Sequence, residues 1–85
     1  MAPDPAVFRV YSRPGCHLCV QLVEEILPLV RGRVDVEVVD IDTREAWRSA
    51  YGTRIPVVEY AGKVVCQYTL DVAAVRRIID AAGVS

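Results

Sequence analysis

Between Tyr11 and Cys19 the chain reads Tyr11-Ser12-Arg13-Pro14-Gly15-Cys16-His17-Leu18-Cys19, and within that stretch the hydrophobic pattern changes period. Upstream, Ala6 to Tyr11 is a short β-rich run containing Val7, Phe8, Val10 and Tyr11, which predicts a strand. Ser12-Arg13-Pro14-Gly15 breaks it as a turn. From Cys16 onward, Cys19, Leu22, Val23, Ile26, Leu27 and Val30 recur at the spacing of one helix face. Pro28 is expected to end or kink that helix, because it has no N–H to give the preceding turn. Gly32 closes the segment. A strand therefore hands over to a helix at the cysteine pair.

Working outward, Val34 to Ile41 alternates apolar and acidic residues before turning apolar, the pattern of a half-buried strand. Asp42 followed by Glu45 resembles a capping box opening a short helix through Trp47 that ends at Gly52. Pro56 begins a β-rich pair, Val57–Tyr60 and Lys63–Tyr68, with Ala61-Gly62 as the turn of a two-residue hairpin. Asp71 can cap a last helix whose apolar stripe is Val72, Val75, Ile78 and Ile79, with Gly83 as its stop. The order β-α-β-α-β-β-α implies a parallel pair joined by a crossover and an antiparallel pair from the hairpin. The fold class is α/β, a small mixed sheet with helices on its faces.

Composition narrows the functions open to such a chain. Its 85 residues make one domain, residues 1–85, and 53% hydrophobic with 25% charged residues is the balance of a folded chain rather than a disordered one. A net charge of −1 gives no broad pull toward nucleic acid or an anionic membrane. No uncharged apolar stretch approaches the roughly 20 residues of a membrane span. Met1-Ala2-Pro3-Asp4-Pro5 lacks the basic-then-apolar layout of a signal peptide, and three cysteines cannot all pair within one chain. The expectation is a monomer in a reducing compartment, the cytoplasm, with neither nucleic acid nor membrane as partner.

The chemistry lies in Cys16-His17-Leu18-Cys19. On a helical start this spacing puts both sulfurs on one face, close enough to bond. Cys16 stands at the helix amino terminus, where free backbone N–H groups and the macrodipole stabilise an anion. The thiolate is the form that attacks a disulfide, so Cys16 is the expected nucleophile. Cys19, deeper in the helix, is suited to resolve a mixed disulfide from within the chain. His17, when protonated, would favour the Cys16 thiolate; it could equally be a solvated residue of the first turn. Zinc is an alternative use of the pair, but beyond it the chain offers only Cys66 and His17 of the usual soft ligands, so no metal ligand is assigned. Inert structural cysteines are another alternative. Cys66, in Lys63-Val64-Val65-Cys66, reads as a buried, unreactive thiol, and Trp47 with Tyr51 as packing residues.

With these pieces placed, the chain resembles the glutaredoxin-like branch of the thioredoxin superfamily from about Val7 to Ala82. The matching segments are Tyr11 to Cys19 and, further on, Thr53-Arg54-Ile55-Pro56-Val57-Val58. The resemblance implies a four-stranded mixed sheet flanked by three helices, and a thiol–disulfide oxidoreductase in which Cys16, Cys19 and His17 act. It further implies a cis peptide bond at Ile55-Pro56, opposite the cysteines, where a substrate chain could pair with the exposed backbone of Ile55. Ile55, Pro56, Arg54, Tyr11, Thr69 and Asp71 are the residues it places at the substrate. The partners implied are a disulfide-bearing protein or small thiol, and glutathione or a reductase as electron donor; no resident cofactor is implied. Some members instead carry an iron–sulfur cluster between two subunits, which leaves a metal carrier, or a binding module with idle cysteines, as rival readings. The chain departs from the family in two places. Glutaredoxins commonly hold proline and tyrosine between the cysteines, where this chain has His17 and Leu18. They also use a glycine pair before the last helix, where this chain has Gln67-Tyr68-Thr69-Leu70-Asp71, with bulky Tyr68 in the way of a glutathione backbone.

Overall fold

The computed structural model describes residues 7–82. Strand β1 (Phe8–Ser12) is followed by helix α1 (His17–Val30), strand β2 (Val36–Asp40), a 3-10 turn (Ile41–Thr43) and helix α2 (Glu45–Tyr51). Strands β3 (Val57–Tyr60) and β4 (Lys63–Gln67) and helix α3 (Val72–Ala81) complete the order read from the sequence. Two expected boundaries, Ala6 and Gly83, lie outside the described residues. The sheet runs β2-β1-β3-β4, with β1 parallel to β2 and antiparallel to β3, and β3 antiparallel to β4. This is the thioredoxin-like arrangement of a four-stranded mixed sheet and three helices. Ala61 and Gly62 both take positive φ, 52° and 82°, as the tight hairpin requires.

Alternation along β1 divides the interior in two. Phe8 and Val10 face α1 and α3, forming a core with Leu22, Ile26, Val30, Val58, Val75 and Ile79. Tyr11 faces the other way and packs with Val39, Ile41 and Val57 beneath Trp47, Tyr51 and Ile55. Trp47 and Tyr51 are thus packing residues of α2, as read from the sequence. Complete burial of each Leu, Ile, Val or Phe stabilises by roughly 1.5–3 kcal/mol, so both layers hold the sheet between them.

Two local expectations are corrected. Pro28 does not end α1, which continues to Val30. Pro28 and Glu24 both lie on the exposed side, so water can satisfy the Glu24 carbonyl that loses its donor, while buried Val30 anchors the last turn. The chain then leaves through Gly32 at φ 75°, and the Val30 carbonyl accepts from the N–H groups of Arg33 and Val34. Asp42 does not cap α2. Fully buried Ile41 opens a 3-10 turn first, and Asp40 caps that turn by accepting the Asp42 N–H at 2.8 Å. Arg44 takes the cap position of α2 without a side-chain bond, which frees the Asp42 carboxylate for a partner elsewhere.

Glu59 ties the second layer together. The Tyr11 hydroxyl donates to one carboxylate oxygen at 3.1 Å and the Tyr51 hydroxyl to the other at 2.7 Å, with the two rings stacked 4.1 Å apart. Burial, and then the bond to Glu59, push the Tyr51 phenol well above its ordinary pKa, so it remains a donor. Replacing Glu59 by Ala strands the Tyr11 hydroxyl in a site where that residue is only 3% exposed. Glu59→Ala is therefore expected to lower stability by about 1–3 kcal/mol in urea unfolding, with Tyr51→Phe costing less. An unchanged midpoint would show that the carboxylate is dispensable.

Candidate redox site

The strand pairings carry several parts of the chain to one end of the sheet. Ser12 lies opposite Asp40, Tyr11 opposite Val57, and Val57 opposite Gln67. The end of β1, the end of β2, the start of β3 and the end of β4 therefore meet there. The loop to Cys16, the 3-10 turn with Asp42, the Ile55-Pro56 peptide and the start of α3 all follow.

Gly15, at φ 84°, turns the chain so that Cys16 arrives extended at the cap position of α1. The Cys16 N–H donates to the Arg13 carbonyl at 3.2 Å, and the Val20 N–H donates to the Cys16 carbonyl at 3.1 Å. The Cys16 sulfur accepts the backbone N–H of Cys19 at 3.2 Å, the role a serine or aspartate oxygen usually fills at a helix start. No acidic residue occupies the first turn of α1 to oppose a negative charge there. Cys16 and Cys19 are joined as a disulfide with their Cα atoms 5.2 Å apart. Their burial differs: Cys16 is half-buried, whereas Cys19 is 1% exposed on the stripe that continues to Leu22 and Ile26.

The other sequence-derived residues fall into separate places. His17 is the exposed first residue of α1 and makes no side-chain hydrogen bond among the described residues. The Ile55-Pro56 peptide is cis, with Pro56 buried and Ile55 half-buried against the Tyr11 layer. The Arg54 guanidinium donates to the Gln67 side-chain oxygen at 2.7 Å and to the Ala50 carbonyl at 3.3 Å, and lies over the Tyr51 ring. Thr69 is exposed, its N–H turned back onto the Gln67 carbonyl. Asp71 spends a carboxylate oxygen on the Ala74 N–H as the cap of α3. Tyr11, expected at the substrate, is 3% exposed: β-strand alternation points it into the α2 layer, where its hydroxyl donates to Glu59.

Sequence reasoning missed two residues. Arg13, in the turn before Cys16, is gripped by the Asp42 carboxylate at 3.0 Å, tying the redox loop to the 3-10 turn. Tyr68 follows β4 at φ 69°, its N–H on the Pro56 carbonyl at 2.8 Å and its hydroxyl on the Thr53 carbonyl at 3.1 Å. The only sequence trace of the second was a bulky residue where the family places glycine.

Cys66 stays outside the disulfide, half-buried behind Val58 on the main core. Burial pushes its thiol above the ordinary value. Among the described residues no three His, Cys, Asp or Glu side chains come together as a metal site, and no helix is long and apolar enough to cross a membrane.

A cysteine pair of unequal access at a strand-to-helix junction, opposite a cis-proline loop, defines a thioredoxin-like dithiol protein. Within that class the chain belongs to the glutaredoxin-like domain family (DUF836), whose model matches residues 8–80. The solution structure of protein Ne2328 from Nitrosomonas europaea is similar at 30% identity and a TM-score of 0.72, over 100% of this chain and 98% of that one. A crystal structure of a protein from X. campestris is similar at 33% identity and a TM-score of 0.67, over 88% and 97% of the two chains. The buckwheat glutaredoxin–glutathione complex shares the fold at 14% identity and a TM-score of 0.59, over 91% of this chain and 79% of that one. No curated protein matches the chain. Family and motif together give the chain the capacity for thiol–disulfide redox chemistry.

The raised, half-buried Cys66 thiol holds less thiolate at a given pH than a free thiol. With the Cys16–Cys19 bond intact, iodoacetamide is expected to label Cys66 several-fold more slowly than free cysteine at mildly alkaline pH, the gap closing as pH rises. Labelling at the free-thiol rate would contradict this placement.

Proposed function

We propose that the protein is a dithiol oxidoreductase that reduces disulfides of proteins or small thiols, with Cys16 as nucleophile and Cys19 as resolving thiol. The supporting observation is the asymmetry of the pair: the Cys16 sulfur is the more accessible and accepts a backbone N–H at the helix start, while Cys19 is sealed beneath it. In the reduced protein that N–H and the helix dipole favour a Cys16 thiolate. The thiolate attacks one substrate sulfur, forming a Cys16–substrate disulfide and expelling the other sulfur as thiolate, which takes a proton. Cys19, losing its proton, then attacks the Cys16 sulfur, closing the Cys16–Cys19 disulfide and releasing the second substrate thiol. Two electrons pass from the dithiol to the substrate. Glutathione or a reductase, in a reducing compartment such as the cytoplasm, returns them through the accessible Cys16 sulfur. That a buckwheat glutaredoxin of this fold was solved with glutathione supports glutathione as one donor. Ile55 and Pro56 border the substrate edge, and His17 lies free beside the nucleophile.

Cys16→Ser is expected to abolish turnover of a disulfide substrate. Cys19→Ser is expected to accumulate a mixed disulfide on Cys16, read as an added mass that dithiothreitol removes. Turnover surviving Cys16→Ser, or adducts on Cys19 in place of Cys16, would overturn the division of labour.

A further inference from the structure

Three apolar side chains remain in solvent around the redox pair instead of joining either core: Leu18 at 49% exposure, Tyr68 at 49% and Val72 at 38%. Leu18 sits between the cysteines, and Val72 is the first residue of α3, whose start the sheet brings to the same end. Tyr68 is held in a left-handed conformation that favours glycine, φ 69°, by two bonds to the cis-proline loop, one at its N–H and one at its hydroxyl. A bulky residue in that conformation, pinned at both ends with its ring half in water, marks a surface shaped for contact rather than for packing.

The arginines at this end are already engaged, and among the described residues His17 alone is left free beside the cysteines. Arg13 is paired with Asp42, Arg44 lies over the Trp47 ring, and Arg54 is bound to Gln67 and the Ala50 carbonyl. The Asp71 carboxylate caps its own helix. A ligand bearing carboxylates would have to displace these contacts, whereas an apolar one meets exposed apolar side chains at the same end of the sheet.

We infer that the rim of Leu18, Tyr68 and Val72 selects disulfides carried in extended, apolar protein segments over glutathione-mixed disulfides, with Tyr68 as the specificity-determining residue. This rests on the oxidoreductase reading and names its substrate class. Apolar contacts of this size are worth on the order of tenfold or more in discrimination.

The test uses the full chain and two substrates: a peptide whose disulfide is flanked by valine and leucine, and a peptide with serine and glycine at the flanking positions, glutathionylated on its one cysteine. The wild type is expected to favour the apolar-flanked disulfide in kcat/KM by roughly tenfold. Tyr68→Gly, which adopts φ 69° freely, is expected to shrink that ratio several-fold by raising the glutathionylated rate and lowering the other. Leu18→Ser, an independent change on the rim, is expected to lower only the apolar-flanked rate. Because both substrates draw on the same dithiol, the ratio is insensitive to any change in its potential. Equal wild-type rates, or a ratio that neither variant moves, would overturn the inference while leaving the oxidoreductase reading intact. Failure to reduce either substrate would overturn both.

Discussion

Strand β1 is bonded along both edges, parallel to β2 and antiparallel to β3, and its register brings the chemistry of the chain to one end. The hydrophobic pattern enforces that register. A slip of one residue would turn Phe8 and Val10 toward the α2 layer and drive Arg9 into the main core, away from Glu37, which it meets at 2.8 Å. A charge buried without a partner costs several kcal/mol, added to the apolar contacts that the slip would lose. With β1 held, the loop to Cys16, the cis-proline loop and the start of α3 have one place to go.

The unequal burial of the two cysteines follows from the same packing. Cys19 is on the stripe with Leu22, Ile26 and Val30 that docks α1 onto Phe8 and Val10, so its sulfur is drawn inward. Cys16 stands one helical turn earlier, at the cap, where its sulfur replaces the oxygen of an ordinary capping residue. A helix amino terminus needs an acceptor, and a sulfur in that position gains the N–H bond and dipole field that favour its anion. Core packing and thiol chemistry therefore use the same residues without conflict.

Around that pair Arg13, Arg54 and Asp71 are bound to the protein itself. The Arg13–Asp42 pair is exposed on both sides, and such pairs add at most about 1 kcal/mol, so its consequence is positional: it fastens the turn before Cys16 to the turn after β2. Glu59 binds two tyrosines and thereby anchors α2, whose Tyr51 carbonyl accepts the Arg54 N–H at the start of the cis-proline loop. The redox end leaves the apolar side chains of Leu18, Tyr68 and Val72 in solvent, and Cys66, on β4 opposite Val58, packs against the main core outside the disulfide.

The element order, the Cys16–Cys19 helix, the Ala61-Gly62 hairpin and the Asp71 cap could all be read from the chain, because each rests on contacts between residues a few positions apart. Spacing on a helix face and turn chemistry act at that range. The errors fell where a distant partner outbid a local one. Asp42 looked like a cap for Glu45, but Arg13, 29 positions away, takes its carboxylate. The family resemblance placed Tyr11 at the substrate, whereas its hydroxyl goes to Glu59, 48 positions away. Pro28 was expected to end or kink α1, and the helix runs on past it because the buried Val30 holds it against the core. Local pattern thus established which elements form and which sulfurs can bond. Which charges are neutralised and which apolar side chains remain exposed were set by long-range packing, since burial is a property of the assembled sheet and helices and not of any short segment.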